Sequence, residues 1–351
     1  MNALSDLAFD QVVKSFNSAP FHPEELLNRD VAERFFASLS TDISESVLAV
    51  FIDDDGYFSR LCQSRGIAIK EHCYSYKQLF FEQFIQEVVS SSSNDSELQR
   101  INCMADYIHS LRLDSIKPGF PLDSLVVHLP NLSKLQLSFI KSEDHFQRLG
   151  KAIWSSPFLT SLVLQDTYIT DDDIPVIFNS EQLNITHLDL SFNRISSVGV
   201  EYLVDKFITS TSVVSHLDLR GNKICQVGAT KIGAALMGND SLVSLNLGLN
   251  SLGDTGGANL FKSISQNQDQ NTSLKHIYVF ANKLGHETAK VITELVAPKE
   301  TSIESIVLTS NLFSKDDLAM LGQHRICVVG PISEALPSDN DIRCLASEVP
   351  S

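Results

Sequence analysis

The chain is poor in positive charge: 27 lysine and arginine residues stand against 43 aspartate and glutamate residues, a formal net charge of -16. That balance repels phosphate backbones and anionic lipid head groups, so nucleic acid and membrane surfaces are not expected partners. Long apolar runs are missing as well. No segment approaches the roughly 20 consecutive apolar residues that cross a bilayer, and the opening stretch MNALSDLAFDQVVKSFNSAP lacks a basic start leading into an apolar core. A cytoplasmic protein without membrane insertion is expected. Its six cysteines (Cys62, Cys73, Cys103, Cys225, Cys327 and Cys344) are scattered, with no C-x-x-C pair, so reduced thiols rather than a disulfide framework are expected. Cys62, His72 and Cys73 lie close in sequence, but a fourth ligand and a zinc-module spacing are lacking. G-x-x-x-x-G-K-[ST], G-x-S-x-G and H-E-x-x-H do not occur; no cofactor, metal or catalytic residue is assigned, and an enzyme is not expected.

What is present is a repeat. The pattern L-x-x-L-x-L-x-x-N-x-L recurs as ITHLDLSFNRI from Ile185, VSHLDLRGNKI from Val214, LVSLNLGLNSL from Leu242, LKHIYVFANKL from Leu274 and IESIVLTSNLF from Ile303. Weaker copies start at Leu132 and Leu159, where Ile140 and Thr167 occupy the asparagine position, and a fainter one starts at Ile108. Alternating apolar residues in L-x-L form a short strand whose inward side chains pack beneath neighbouring repeats. The asparagine has a different task. A stacked column of Asn193, Asn222, Asn250, Asn282 and Asn311 is placed to bond backbone groups that the turn after each strand leaves without partners.

Between the strands lie stretches such as VGVEYLVDKFI and VGATKIGAALMG, with apolar residues three or four apart, and successive asparagine positions are about 26 to 32 residues apart. That period leaves room for a full α-helix on the outer side. The fold class expected is therefore α/β: a curved leucine-rich-repeat solenoid with parallel strands on the concave face and helices on the convex face. The polar run SQNQDQNTS from Ser265 reads as a loop insertion. GDTGG from Gly253 has a phosphate-loop composition but falls where the repeat turns into its helix. Residues 1–105 carry helical apolar patterns instead, such as YKQLFFEQFIQEVV from Tyr76, and are expected to form an N-terminal helical cap domain. The repeats are assigned to residues 106–328. Residues 329–351, rich in proline, serine and acid, are expected to form a mostly flexible tail.

Alternate residues of a strand share a face. His187 and Asp189 are thus placed on the open face of one repeat, with His216, Asp218 and Arg220 alongside in the next. Two imidazoles and two carboxylates on strands about 4.8 Å apart have zinc-ligand chemistry, yet repetition accounts for them more simply, as solvated polar residues at equivalent positions. Phe192, Leu249, Tyr278 and Phe280 fall on or at the rim of the same face, and with the polar five they are the protein-interface candidates. Tyr278 with Phe280 is the preferred hot spot, and replacing both by alanine is expected to leave thermal stability nearly unchanged.

A family resemblance rests on the N-terminal stretch. DDDGYFSRLCQSRG from Asp53, then YSYKQLFFEQFIQEVV from Tyr74, resembles the segment preceding the repeats in the dynein regulatory complex subunit 5 (T-complex-associated testis-expressed protein 1) family. Asp55, Tyr57, Arg60, Cys62, Arg65, Lys77, Phe80 and Glu82 match in order, while Phe58, Gly66 and Tyr76 stand where that family tends to carry tryptophan. The repeats themselves resemble the ribonuclease-inhibitor-like class. The resemblance implies a non-enzymatic scaffold subunit of the nexin–dynein regulatory complex in the axoneme of cilia and flagella. Its implied partners are other subunits of that complex, its location the cytoskeleton, and its role the regulation of motility. The acidic balance disfavours direct binding to acidic tubulin tails. The alternatives are a regulator of a small GTPase, similar to the Ran GTPase-activating protein, and a general cytosolic leucine-rich-repeat adaptor.

Overall fold

The computed structural model describes residues 52–67, 75–91, 105–114, 120–139, 143–180, 183–266, 273–297, 302–325 and 327–328, with isolated positions between 13 and 48 and at 101 and 116. The expected tail at 329–351, the centre of the polar insertion at 267–272, and most of residues 1–51 lie outside the described residues. Among the described residues nine strands follow in sequence order through one sheet: β1 (Ser110–Leu113), β2 (Lys134–Leu137), β3 (Ser161–Val163), β4 (His187–Asp189), β5 (His216–Asp218), β6 (Ser244–Asn246), β7 (His276–Tyr278), β8 (Ser305–Val307) and β9 (Cys327–Val328). Helices alternate with them, so this is a leucine-rich-repeat solenoid. Among the described residues no helix is long and apolar enough to cross a membrane.

The chain divides into two compact units, Met1–Leu135 with Lys151–Phe158, and Gln136–Gly150 with Leu159–Ser351. In the first, α1 (Asp55–Ser64) starts at Asp54, whose carboxylate accepts the Tyr57 amide at 2.5 Å, and ends before Gly66 at φ +67°. α2 (Tyr76–Ser91) packs against α1 and against β1. The helix α2 and the strand β1 thus belong to the same compact unit. α3 (Leu122–Val127) follows β1, and its Leu122 and Leu125 are fully buried.

The second unit carries the clear repeats. α4 (Glu143–Trp154) precedes β3, and each strand from β3 to β8 is followed by a helix: α5 (Asp173–Ile177), α6 (Ser197–Phe207), α7 (Gln226–Leu236), α8 (Gly253–Gln266), α9 (His286–Val296) and α10 (Lys315–Leu321). Register is uniform and parallel, with His187 beside His216, Leu188 beside Leu217 and Asp189 beside Asp218, then Leu245, Ile277 and Ile306 continuing the leucine row. That row and the next inward one, Leu190, Leu219, Leu247, Val279 and Leu308, are at most 2% exposed. Burying each such side chain contributes about 1.5–3 kcal/mol, and the row is carried from strand to paired strand.

An asparagine column links the turns after the strands. Asn222 accepts from the Ile195 amide at 3.0 Å and donates to the carbonyls of Leu190, Leu219 and Arg220 at 2.9, 3.0 and 3.3 Å. Asn193, Asn250, Asn282 and Asn311 repeat this from turn to turn. Thr167 keeps a reduced version, donating its hydroxyl to Leu164 O at 2.9 Å. The residue before each of these positions is left-handed whatever its side chain: Asp166, Phe192, Gly221, Leu249, Ala281 and Ser310 have φ between 52° and 68°. The cost of about 1–2 kcal/mol for a non-glycine residue there is offset by the bonds the turn makes possible.

Candidate functional site

Strand alternation sets three rows of side chains on the open face of the sheet in the second unit. The first row runs Ser161, His187, His216, Ser244, His276, Ser305; the second, Val163, Asp189, Asp218, Asn246, Tyr278, Val307. Two residues further along lies the third, Gln165, Ser191, Arg220, Gly248, Phe280, Thr309. His187 and His216 are exposed, and their rings stack at 4.3 Å and 8°. Below them Asp189 accepts the Ser191 amide, Asp218 the Arg220 amide and Asn246 the Gly248 amide, at 2.8, 2.8 and 3.0 Å. The second-row carboxylates thus have a structural task, closing the turn after each strand. Asn246 also donates to Asp218 at 2.9 Å. Even so, burial and then the neighbouring charge of Asp189 push the Asp218 carboxyl up to about 7, against the opposing pull of Arg220.

The candidates differ in what they offer a partner. Phe192 is half-buried, its ring laid over Gly221 and under the Arg220 guanidinium at 4.6 Å, while Leu249 is 41% exposed. Tyr278 and Phe280 are a correction to the rim expectation: they are 6% and 7% exposed and form a small buried cluster with Val307, flanked by Ala281 and Val328. The reason is Gly248. A Cβ there would meet the Phe280 ring at 2.3 Å, so the missing side chain leaves a slot in which the ring lies flat on the sheet. The pair belongs to the packing of the face, and its double alanine variant is expected to destabilise.

Four of the buried polar side-chain atoms without a hydrogen-bond partner, Ser191 Oγ, Arg220 Nε, His276 Nδ1 and Thr309 Oγ1, lie in the first and third rows of this face. Native interiors pair the great majority of such atoms, so unmet bonding capacity is concentrated on the open sheet. Among the described residues no group of three or more histidine, cysteine, aspartate and glutamate side chains is placed to hold a metal.

Sequence reasoning missed the joints between helices. Residues at or just before the start of several helices reach to the next one: Asp171 accepts the Ser196 and Gly199 amides, Ser197 those of Cys225 and Gly228, and Asp254 those of Gly285, Glu287 and Thr288. His286 holds the same place and meets the Asp317 carboxylate at 2.7 Å. GDTGG is explained here rather than by phosphate: Asp254 is the cap, and a Cβ at Gly256 would lie 2.7 Å from Gln226 Cα. Sequence reasoning also passed over Trp154 and Phe158, 72% and 62% exposed in the first unit.

The N-terminal residues that carry the family resemblance are packing and capping groups. Asp55 accepts the Tyr76 amide at 2.6 Å and the Ser75 hydroxyl at 3.1 Å, joining α1 to α2. Tyr57 is buried beneath Arg60, which donates to Phe36 O; Arg65 lies over the Phe80 ring at 4.9 Å, and Lys77 pairs with Asp53 at 3.2 Å. Cys62 donates its thiol to Tyr76 O at 3.7 Å, and Phe58, one of the tryptophan positions, fills the core between Tyr57, Phe80 and Phe81.

In comparisons with known proteins, the leucine-rich-repeat family profile matches residues 182–204 and 238–261. These segments contain β4 with the start of α6, and β6 with the start of α8. No curated protein matches the chain. One similar solved structure is an internalin from Listeria monocytogenes, 15% identical, covering 71% of this chain and 94% of its own, with a TM-score of 0.32. At that score the likeness adds nothing to the argument. Both matched segments lie within the repeat array of the leucine-rich-repeat solenoid described above.

Proposed function

We propose that this chain is a non-enzymatic scaffold subunit of the axonemal nexin–dynein regulatory complex, binding other subunits through the open sheet face of its repeats. The observation that carries this reading is the matched N-terminal series Asp55, Tyr57, Arg60, Cys62, Arg65, Lys77, Phe80 and Glu82, which goes beyond what the repeats alone specify. Within the series, Asp55, Arg65, Phe80 and Lys77 take part in the capping, stacking and ion pairing of one helical pair. A repeat array with a continuous core presents its surface already ordered, so binding there costs little conformational entropy. A net charge of -16 favours contacts with other linker subunits over acidic tubulin tails.

The test is to tag the protein in a flagellated cell of its source, strip the membrane with detergent, and follow the tag. Retention on the axoneme and co-purification with regulatory complex subunits is the expected result. Release into the soluble fraction refutes the axonemal reading and leaves a free adaptor or a GTPase regulator. Stimulated GTP hydrolysis across a panel of small GTPases then separates those two.

A further inference from the structure

Asp189 and Asp218 face out from adjacent strands in direct register. Each accepts an amide of its own strand end, and Asp218 also accepts from Asn246, but none of these donors is a cation. Arg220 moderates the pair without covering it, because its guanidinium is laid on the Phe192 ring. The result is an under-neutralised pair of carboxylates, with burial and then the neighbouring Asp189 charge raising the Asp218 carboxyl. Next to the pair, Ser191 Oγ is fully buried with no partner, and Arg220 Nε, in a residue 6% exposed, is likewise unpaired. Two exposed, stacked imidazoles, His187 and His216, line the outer side.

We propose that this strip of the sheet face receives a lysine or arginine side chain from a partner protein, its cationic head against the Asp189 and Asp218 carboxylates and its stem along the histidine pair. Resting on the reading of the sheet face as the partner surface, the inference adds the chemistry of the contact. Charge complementarity selects the occupant: a cation relieves the repulsion that burial magnifies. A basic side chain fits better than a metal ion, since among the described residues no three-ligand group is placed for one.

The experiment uses the full chain and three probes: N-acetyl-arginine amide, N-acetyl-lysine amide and N-acetyl-glutamate amide. The ring signals of His187 and His216 are followed by NMR during each titration. Saturable shifts with the two basic probes in the millimolar range, little shift with the acidic one, and binding weakened about tenfold in Asp189→Asn are the expected results. Asparagine retains the oxygen that accepts the Ser191 amide, so this variant keeps the turn; Asp218→Asn is the second variant, and thermal unfolding verifies that both are folded. Equal shifts from acidic and basic probes, no shift from either, or unchanged binding in both folded variants overturns the site. Loss of probe binding in a protein still retained on axonemes refutes this contact alone. Axonemal release with probe binding intact refutes the scaffold reading and leaves the basic-side-chain site standing.

Discussion

Replacing Asn222 by alanine tests the backbone logic of the repeat. Asn222 is 9% exposed and makes four hydrogen bonds, one accepted and three donated. The three carbonyls it serves keep other donors: Asn193 for Leu190 O, Asn250 for Leu219 O, and the Phe192 amide for Arg220 O. The Ile195 amide is different, because Asn222 Oδ1 is its partner. Alanine therefore strands one buried N–H at about 1–3 kcal/mol, with about 1 kcal/mol more for the emptied volume, or roughly 2–4 kcal/mol in total. In urea unfolding this appears as a lower midpoint, and in heat as a drop of roughly 5–15 °C. Two companions separate the contributions. Asn222→Leu fills the space but leaves the amide stranded, and should recover little. Asn222→Asp keeps the acceptor but sets a carboxylate against three carbonyl oxygens. It should be worst at neutral pH and improve in acid, because a carboxyl whose folded pKa is raised gains stability as pH falls. A loss below about 0.5 kcal/mol in Asn222→Ala, or full rescue by leucine, refutes the assignment.

Tyr278→Ala with Phe280→Ala should lower stability by at least about 3 kcal/mol, measured by denaturant unfolding; a near-neutral result restores these rings to the free surface. Asp254→Ala removes the acceptor of three amides at the start of α9 and should cost about 1–2 kcal/mol, a helix-cap loss. Burial acts to raise the Asp254 carboxyl, but its bonds to Thr288, Glu287 and Gly285 outweigh it and hold the group below the ordinary carboxylate range. Its contribution is accordingly present above about pH 4 and lost as pH falls through the depressed value, so wild type and variant should converge in acid. The hydrogen bond to Asp317, then its charge, raises the His286 imidazole above its ordinary 6.5. That stabilisation is full below the ordinary value and fades as pH rises through the raised one; an NMR titration should show Asp317→Asn bringing the imidazole down.

What the sequence disclosed and what it hid follow from how local each interaction is. L-x-L and asparagine sit within one short template, so the strands from His187 to Val307 and the asparagine column could be read directly. The helix joints could not, because Asp254 serves Thr288, 34 residues later, and the opening position is filled by aspartate, serine or histidine in turn. The left-handed residue is equally silent, occupied by Phe192, Gly221 and Leu249 in successive repeats. Burial of Phe280 was misjudged because alternation gives the side of a sheet and not the depth; the deciding residue was Gly248 in the preceding repeat. The GDTGG run was correctly placed at a helix start, yet its use as cap and packing seam needed the neighbouring helix.

The central claim, that the open sheet face is the partner-binding surface, is tested most directly by site-specific photo-crosslinking in flagellated cells. One crosslinker replaces Leu249 on the sheet side and another replaces Val227 at the start of α7, residues 41% and 50% exposed. The account predicts discrete crosslinked partners from position 249, among them regulatory complex subunits, and few or none from position 227. Crosslinks confined to position 227 would contradict it and transfer the binding role to the helical side.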